Sequence, residues 1–145
     1  MRGFAIILTL SQSKSLNKRS KREAWLLPDG AELLLTSQLN TGFQCSEDGY
    51  YADVDNNCQV FHVCHQQTDP EGRAIMNHWT FLCGNQTIFN QLTQTCAFEE
   101  ESVPCSMAPQ FFNLNQRLGD PKVQFLDDND IASGYALYPS QKIAN

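Results

Sequence analysis

Alternation of apolar and polar positions between Gly49 and Ala97 predicts β-strands rather than helices. The second and third of the predicted strands are rich in β-branched and aromatic residues, which favour extended backbone. Turn residues such as Asp69-Pro70-Glu71-Gly72 interrupt the pattern. The sequence therefore predicts a small antiparallel β domain with five short strands: Gly49–Ala52, Gln59–His65, Asn77–Cys83, Thr87–Asn90 and Gln94–Ala97.

The period of two also divides the third predicted strand into two faces. Trp79, Phe81 and Cys83 belong to one face. The residues between them, His78, Thr80 and Leu82, belong to the other.

All six cysteines lie in a stretch of about 60 residues that contains the five predicted strands: Cys45, Cys58, Cys64, Cys83, Cys96 and Cys105. A segment of about 60 residues is too small to rely on a hydrophobic core alone. An even cysteine count in so short a segment indicates disulfides and hence an oxidising compartment. The count leaves the pairing open. Zinc binding is the alternative, since Cys58, His62, Cys64 and His65 are close in sequence, but the paired Cys-x-x-Cys spacing of structural zinc sites is missing.

Composition changes on both sides of the cysteine segment. Residues 1–22 have a short apolar run after Arg2 and a basic run that ends at Arg22, typical of a secretory signal and a propeptide cleaved after Arg22. The alternatives are a frayed strand or misassigned start for the first run, and a solvated basic run or nuclear signal for the second. Residues 23–42 are predicted to be a linker. Residues 106–145 are predicted to be a largely extended or disordered tail, although their aromatic residues suggest that part of it docks on the domain or on a partner.

Charge and motif content argue against several function classes. The net charge of −6 argues against nucleic acid and anionic membranes as partners, and no apolar run is long enough to span a membrane. The carboxylates of Glu99–Glu101 are contiguous, unlike the separated pair of a glycosidase. No nucleophile motif is present either, so we expect neither an enzyme nor a cofactor.

Two short motifs concern metal binding and glycosylation. The run that starts at Asp53 imitates a calcium loop, but Cys58 and Cys64 stand where that loop needs Gly and Glu, so no metal is expected. Asn85-Gln86-Thr87 is a glycosylation acceptor sequence, and its use at Asn85 is predicted for a secreted protein.

Aromatic density indicates a class of ligand. Seven aromatic residues fall between Tyr50 and Phe98, and a domain this small cannot bury them all. Exposed flat rings suit the apolar faces of sugar rings, and neighbouring Asn, Gln and Thr side chains suit their hydroxyl and acetamido groups. Carbohydrate is therefore the predicted ligand.

The run from Phe43 to Cys105 resembles the peritrophin-A type, or type 2, chitin-binding domain. The cysteine spacing carries the resemblance, together with the segments Gly49–Asp53, Cys58–Cys64 and Phe81–Asn90. A single copy with long flanks is similar to single-domain cuticular proteins analogous to peritrophins. The domain is accordingly assigned to residues 43–105.

The resemblance implies a three-stranded antiparallel sheet followed by a two-stranded hairpin, and chitin binding without cleavage. It implies the disulfides Cys45–Cys64, Cys58–Cys105 and Cys83–Cys96. Phe61 and His62 point to opposite faces of one strand, and we expect Phe61 inside and His62 exposed. The resemblance also implies six candidate chitin-binding residues: Tyr51, His62, Trp79, Phe89, Asn90 and Phe98.

This sequence departs from the family near the hairpin. Gly84 and Gln86 stand where Pro and Gly are common, and Phe98 is followed by acidic residues instead of further rings. The expected function is a secreted, non-catalytic chitin-binding protein of the cuticle or another chitinous extracellular matrix, with chitin and other matrix proteins as partners. The alternative is a secreted protein-interaction or signalling module on the same scaffold, with weak or no chitin binding.

Overall fold

The computed structural model describes residues 24–144, so the predicted signal and the Arg22 processing site lie outside the described residues. A three-stranded antiparallel sheet in the order β1-β2-β3 forms the centre of this part of the chain. A separate two-stranded hairpin, β4-β5, follows it. The predicted fold class is confirmed, with strands β1 (Gly49–Ala52), β2 (Val60–Thr68), β3 (Ala74–Leu82), β4 (Thr87–Asn90) and β5 (Thr95–Phe98).

The loop between β2 and β3 is held by the side chain of Asp69. Its Oδ1 accepts hydrogen bonds from the backbone N–H of Glu71 at 2.9 Å and of Arg73 at 2.8 Å. These bonds lower the pKa of the Asp69 carboxyl, and the bond from the Arg73 N–H has the largest effect. Because the loop fixes the register, Val63 pairs with Trp79 and Phe61 with Phe81 across the two strands.

Three disulfides link the strands to the neighbouring segments. Cys45–Cys64 joins the chain before β1 to β2, and Cys83–Cys96 joins the chain after β3 to β5. Cys58–Cys105 connects residues that are 47 positions apart and brings the C-terminal segment onto the sheet. The pairing is the one that the resemblance implies. Such cross-links stabilise small domains mainly by restricting the unfolded chain.

The buried apolar residues form two clusters. The first lies between the sheet, the hairpin and the start of the C-terminal segment, and contains Ala52, Cys58, Cys83, Phe89 and Ala108. The second lies between the hairpin turn and the C-terminal segment, and contains Leu92, Val103, Leu114 and Tyr138.

The segment after Cys105 differs from the extended tail that the sequence predicts. It contains a run of 3-10 turns at Cys105–Arg117, a helix α1 at Asp128–Tyr135 and a helix α2 at Pro139–Ala144. Asp127 begins α1 with a capping box, which pairs backbone N–H groups that the helix itself leaves free. Leu114 and Tyr138 are buried, so the tail completes a core that the small sheet cannot close by itself.

The predicted linker also packs on the domain. The Gln59 side-chain oxygen accepts a hydrogen bond from the Thr36 N–H at 2.9 Å, and the Asn56 oxygen accepts one from the Asn40 N–H at 2.8 Å. Further upstream, the ring of Trp25 lies 4.8 Å from that of His62. Residues on both sides of the cysteine segment therefore contribute to the fold.

Candidate functional site

One face of the three-stranded sheet displays a row of rings. Tyr50, Val63 and Trp79 lie side by side across the strands, and Phe61 and Phe81 lie beside each other in the next row. We call these five residues the aromatic face. They line a shallow depression of about 380 Å³. Trp79 is 44% exposed and Phe81 is 46% exposed, so their rings are available for contact with a ligand.

A stack of three phenylalanines supports one end of the aromatic face. The ring centroids of Phe81 and Phe61 are 5.4 Å apart, and those of Phe61 and Phe89 are 4.4 Å apart. Phe89 is buried in the first core cluster. Phe61, itself stacked on this buried ring, restrains the exposed ring of Phe81, which reduces the entropy lost when a ligand binds.

At its other end the aromatic face continues into a second cavity of about 510 Å³. Tyr50, Val63 and Trp79 line both cavities. Asp48 lines the second, and its Oδ1 accepts a hydrogen bond of 2.7 Å from the backbone N–H of Gln66. A fixed carboxylate therefore lies beside the rings.

The opposite face of the sheet holds a buried polar network around His62. Its Nε2 lies 2.7 Å from Asp53 Oδ2, and its Nδ1 lies 2.9 Å from Thr80 Oγ1. The ring of Phe43 stacks on the imidazole with centroids 3.9 Å apart. His62 is fully buried, so the expectation that it is exposed is wrong, whereas Phe61 is partly buried and packs against the first core cluster. The reason is that His62 finds polar partners and an aromatic cover in the interior.

His78 extends this network towards the edge of the sheet. Its Nε2 lies 2.9 Å from His62 Nδ1, and Trp25 and Phe43 lie next to its ring. Burial, followed by the charge that His62 can carry, lowers the pKa of His78 to about 4. His78 is therefore neutral at neutral pH.

Two of the six predicted chitin-binding residues lie at the surface. Trp79 belongs to the aromatic face, and Phe98, 57% exposed, lies at the end of β5. Phe98 lines neither of the two cavities. Whether either ring binds chitin stays a prediction.

The other four predicted residues are buried: Tyr51, His62, Phe89 and Asn90. The Tyr51 hydroxyl donates to the backbone oxygens of Glu47 and Asp48, and the Asn90 amide donates to the Tyr138 hydroxyl. Burial also raises the pKa of the Tyr51 hydroxyl. These side chains hold the scaffold together, and their burial leaves little of them for a polymer to contact.

Tyr50 and Phe81 are not among the six binding residues predicted from the sequence. Phe81 could have been found, because its spacing from Trp79 puts both on one face of β3. Tyr50 joins them only through the register of β1 on β2, and no signal in the sequence defines that register.

Three further observations concern metal binding, membrane spanning and glycosylation. Between residues 24 and 144 there is no group of three His, Cys, Asp or Glu side chains able to hold a metal ion. No helix in the same range is long and apolar enough to cross a membrane. Asn85 is exposed in the turn between β3 and β4, and its glycosylation stays a prediction.

The spacing of the cysteines, their pairing and the five strands agree with one known family. Residues 45–105 match the family model described as "Chitin binding Peritrophin-A domain". This part of the chain is a peritrophin-A domain. The matched family is a family of binding domains.

Two curated relatives are similar to part of the chain. U-scoloptoxin(01)-Er1a of Ethmostigmus rubripes is 45% identical over 56 residues, which cover 37% of this chain and 40% of that protein. U-scoloptoxin(01)-Cw1a of Cormocephalus westwoodi is 34% identical over 83 residues, which cover 56% of this chain and 63% of that protein. The chain thus spans less than two thirds of either relative. No solved structure matches the chain significantly.

Proposed function

We propose that the peritrophin-A domain binds chitin through the aromatic face, as part of a secreted, non-catalytic protein of the cuticle or another chitinous extracellular matrix. The observation that carries this proposal is the row of exposed rings on one face of the sheet. Flat rings offer apolar area to the faces of successive sugar units. The family match supports chitin as the sugar polymer.

Polar side chains beside the rings fit the same ligand. His65 and Asn77 pair across β2 and β3 on the face that carries Trp79. The Asn77 amide already donates to Gln67 Oε1 at 2.8 Å, which orients it. Such side chains can donate hydrogen bonds to hydroxyl and acetamido groups and accept hydrogen bonds from them. Since each contact is weak, we expect modest affinity for short oligomers and stronger retention when many domains bind one polymer.

The proposal is tested by retention of the secreted full chain on chitin beads. Trp79→Ala removes the central ring of the aromatic face and is expected to weaken binding about three- to tenfold, because one exposed stacking contact is lost. Phe98→Ala measures the contribution of the hairpin ring in the same assay.

The matched control is Leu33→Ala, which also removes a large exposed apolar side chain, in this case from the turn Ala31–Leu33. It should leave retention unchanged. If the wild-type chain elutes with buffer, or if Leu33→Ala lowers retention as much as Trp79→Ala, the aromatic face is not a chitin site.

The names of the relatives favour a second candidate function. Both are named as toxins, which suggests a secreted protein that acts on a partner other than chitin. The aromatic face would then contact a protein. Failure to bind chitin beads, together with saturable binding to a protein partner that Trp79→Ala abolishes, would favour this candidate.

A further inference from the structure

The cavity beside the aromatic face combines two aromatic rings with a carboxylate. Tyr50 and Trp79 form part of its wall, and the half-exposed side chain of Asp48 lies next to them. The remaining lining residues are apolar or neutral except His65. Aromatic faces attract cations, and a nearby carboxylate adds to this attraction.

The Asp48 carboxylate is held in place by the sheet. The Gln66 N–H binds its Oδ1 at 2.7 Å, and the Tyr51 hydroxyl donates to the Asp48 backbone oxygen at 3.1 Å. The second oxygen, Oδ2, lies 3.5 Å from His65 Nδ1, too far for a strong hydrogen bond. Oδ2 is therefore loosely held, and a cationic ligand in the cavity would compete with His65 for it.

The charge of the surrounding chain also favours a cationic ligand. Residues 24–144 contain 15 of the 16 acidic residues and four of the ten Lys and Arg residues. Two of these four, Arg73 and Arg117, already form ion pairs with Asp69 and Asp130. A cationic polymer is therefore attracted to this part of the molecule, and a polyanion is repelled.

We propose that this cavity takes the free ammonium groups of partly deacetylated chitin, so that the domain prefers the cationic polymer to the fully acetylated one. The inference rests on the proposed function, because the rings of the aromatic face hold the polymer in both cases. Removal of an acetyl group leaves a primary amine on the sugar, which is protonated at mildly acidic pH. That ammonium can lie against Trp79 while it donates to Asp48.

The test compares binding of the full chain to chitin and to chitosan oligomers of equal length, at mildly acidic pH and low salt. Asp48→Asn keeps an oxygen for the Gln66 N–H and removes the charge. We expect the wild-type preference for chitosan, measured as the ratio of the two affinities, to fall about two- to fivefold in Asp48→Asn. Added salt should reduce the preference in the wild type.

The control is Asp55→Asn, which removes one negative charge from an exposed residue of the turn Val54–Asn56, outside the cavity. It should keep the wild-type preference. An equal loss in both variants, or a wild-type chain that binds both oligomers alike, overturns the cavity assignment while chitin binding stands. Absence of binding to either oligomer overturns the proposed function itself.

Discussion

The imidazole of His62 organises the buried side of the sheet. Asp53 is 3% exposed and shares its carboxylate between His62 and the Asn56 amide, so every member of this network has a partner. Alternation along β2 predicts only that Phe61 and His62 face opposite ways. Which of them lies inside is decided by Phe43 and Asp53, whose positions over the sheet depend on the tertiary fold. For this reason the sequence could not predict the buried network.

The lowered pKa of His78 predicts a pH-dependent stability. Its pKa is about 4 in the folded chain and near 6.5 in the unfolded chain, so the unfolded chain binds more protons between these values. The contribution of neutral His78 to the free energy of unfolding is then complete above about pH 6.5, and it is lost as the pH falls towards 4. Since His78 is partly solvated, we expect a loss of roughly 1–2 kcal/mol. Urea denaturation with the disulfides intact, repeated across this range, measures it.

His78→Gln provides the control, because glutamine retains hydrogen-bonding groups and does not titrate. The variant should lose less stability than the wild type over the same interval. Curves for the two proteins that stay parallel from pH 7 to about pH 4 would show that His78 does not contribute.

At the scale of elements, the outer edge of β1 is covered by side-chain amides. Asn115 Oδ1 accepts the Tyr50 N–H at 3.0 Å, and its amide donates to the Tyr50 oxygen at 2.9 Å. Gln91 Oε1 accepts the Ala52 N–H at 2.7 Å. These amides replace a fourth strand and leave few unpaired groups on this edge. Gly49 is required here, since its φ is 141° and an added Cβ would lie 2.3 Å from Asn115 Cγ.

Asn115→Ala is expected to destabilise the fold by about 1–3 kcal/mol, because the Tyr50 N–H loses its partner in a partly buried place, while the Tyr50 oxygen keeps the Gln91 amide at 2.7 Å. Hydrogen exchange should show faster exchange at the Tyr50 amide. Asn113→Ala, an exposed site in the same run of 3-10 turns, is the matched control. Equal exchange rates at Tyr50 in the two variants would contradict the role of Asn115.

The strands were predictable, whereas the amide-covered edge was not. In β2 and in β3 the alternation that predicts a strand is visible within nine consecutive positions. Asn115 lies 65 positions after Tyr50, in a segment without clear periodicity. Nothing local distinguishes it from the exposed Asn113.

On the scale of the whole molecule, the C-terminal segment acts as part of the core. Tyr138 packs in the second cluster with Leu92 and Val103, and its hydroxyl accepts a hydrogen bond of 2.8 Å from the Asn90 amide. Cysteine spacing locates the domain at residues 45–105, but it carries no information about a segment without cysteines. The aromatic residues of the tail were the only sequence sign that it docks.

Tyr138→Ala should lower the free energy of unfolding by about 3–5 kcal/mol, since it removes a buried ring and leaves a cavity. Tyr138→Phe should cost only about 1 kcal/mol, for the lost hydrogen bond to Asn90. Thermal unfolding with intact disulfides measures both. Ile131→Ala on the exposed side of α1 serves as the control, and a Tyr138→Ala variant as stable as this control would show that the tail does not complete the core.

The alternation along β3 has a consequence for how this chain can change over time. His78 and Thr80 belong to the polar network around His62, whereas Trp79 and Phe81 face outwards and are nearly half exposed. Substitutions at the outward positions can therefore accumulate without loss of the scaffold, and each of them alters what the surface binds. Related proteins with this sheet can therefore change their ligand through single substitutions on the outward face, while the three disulfides maintain the fold.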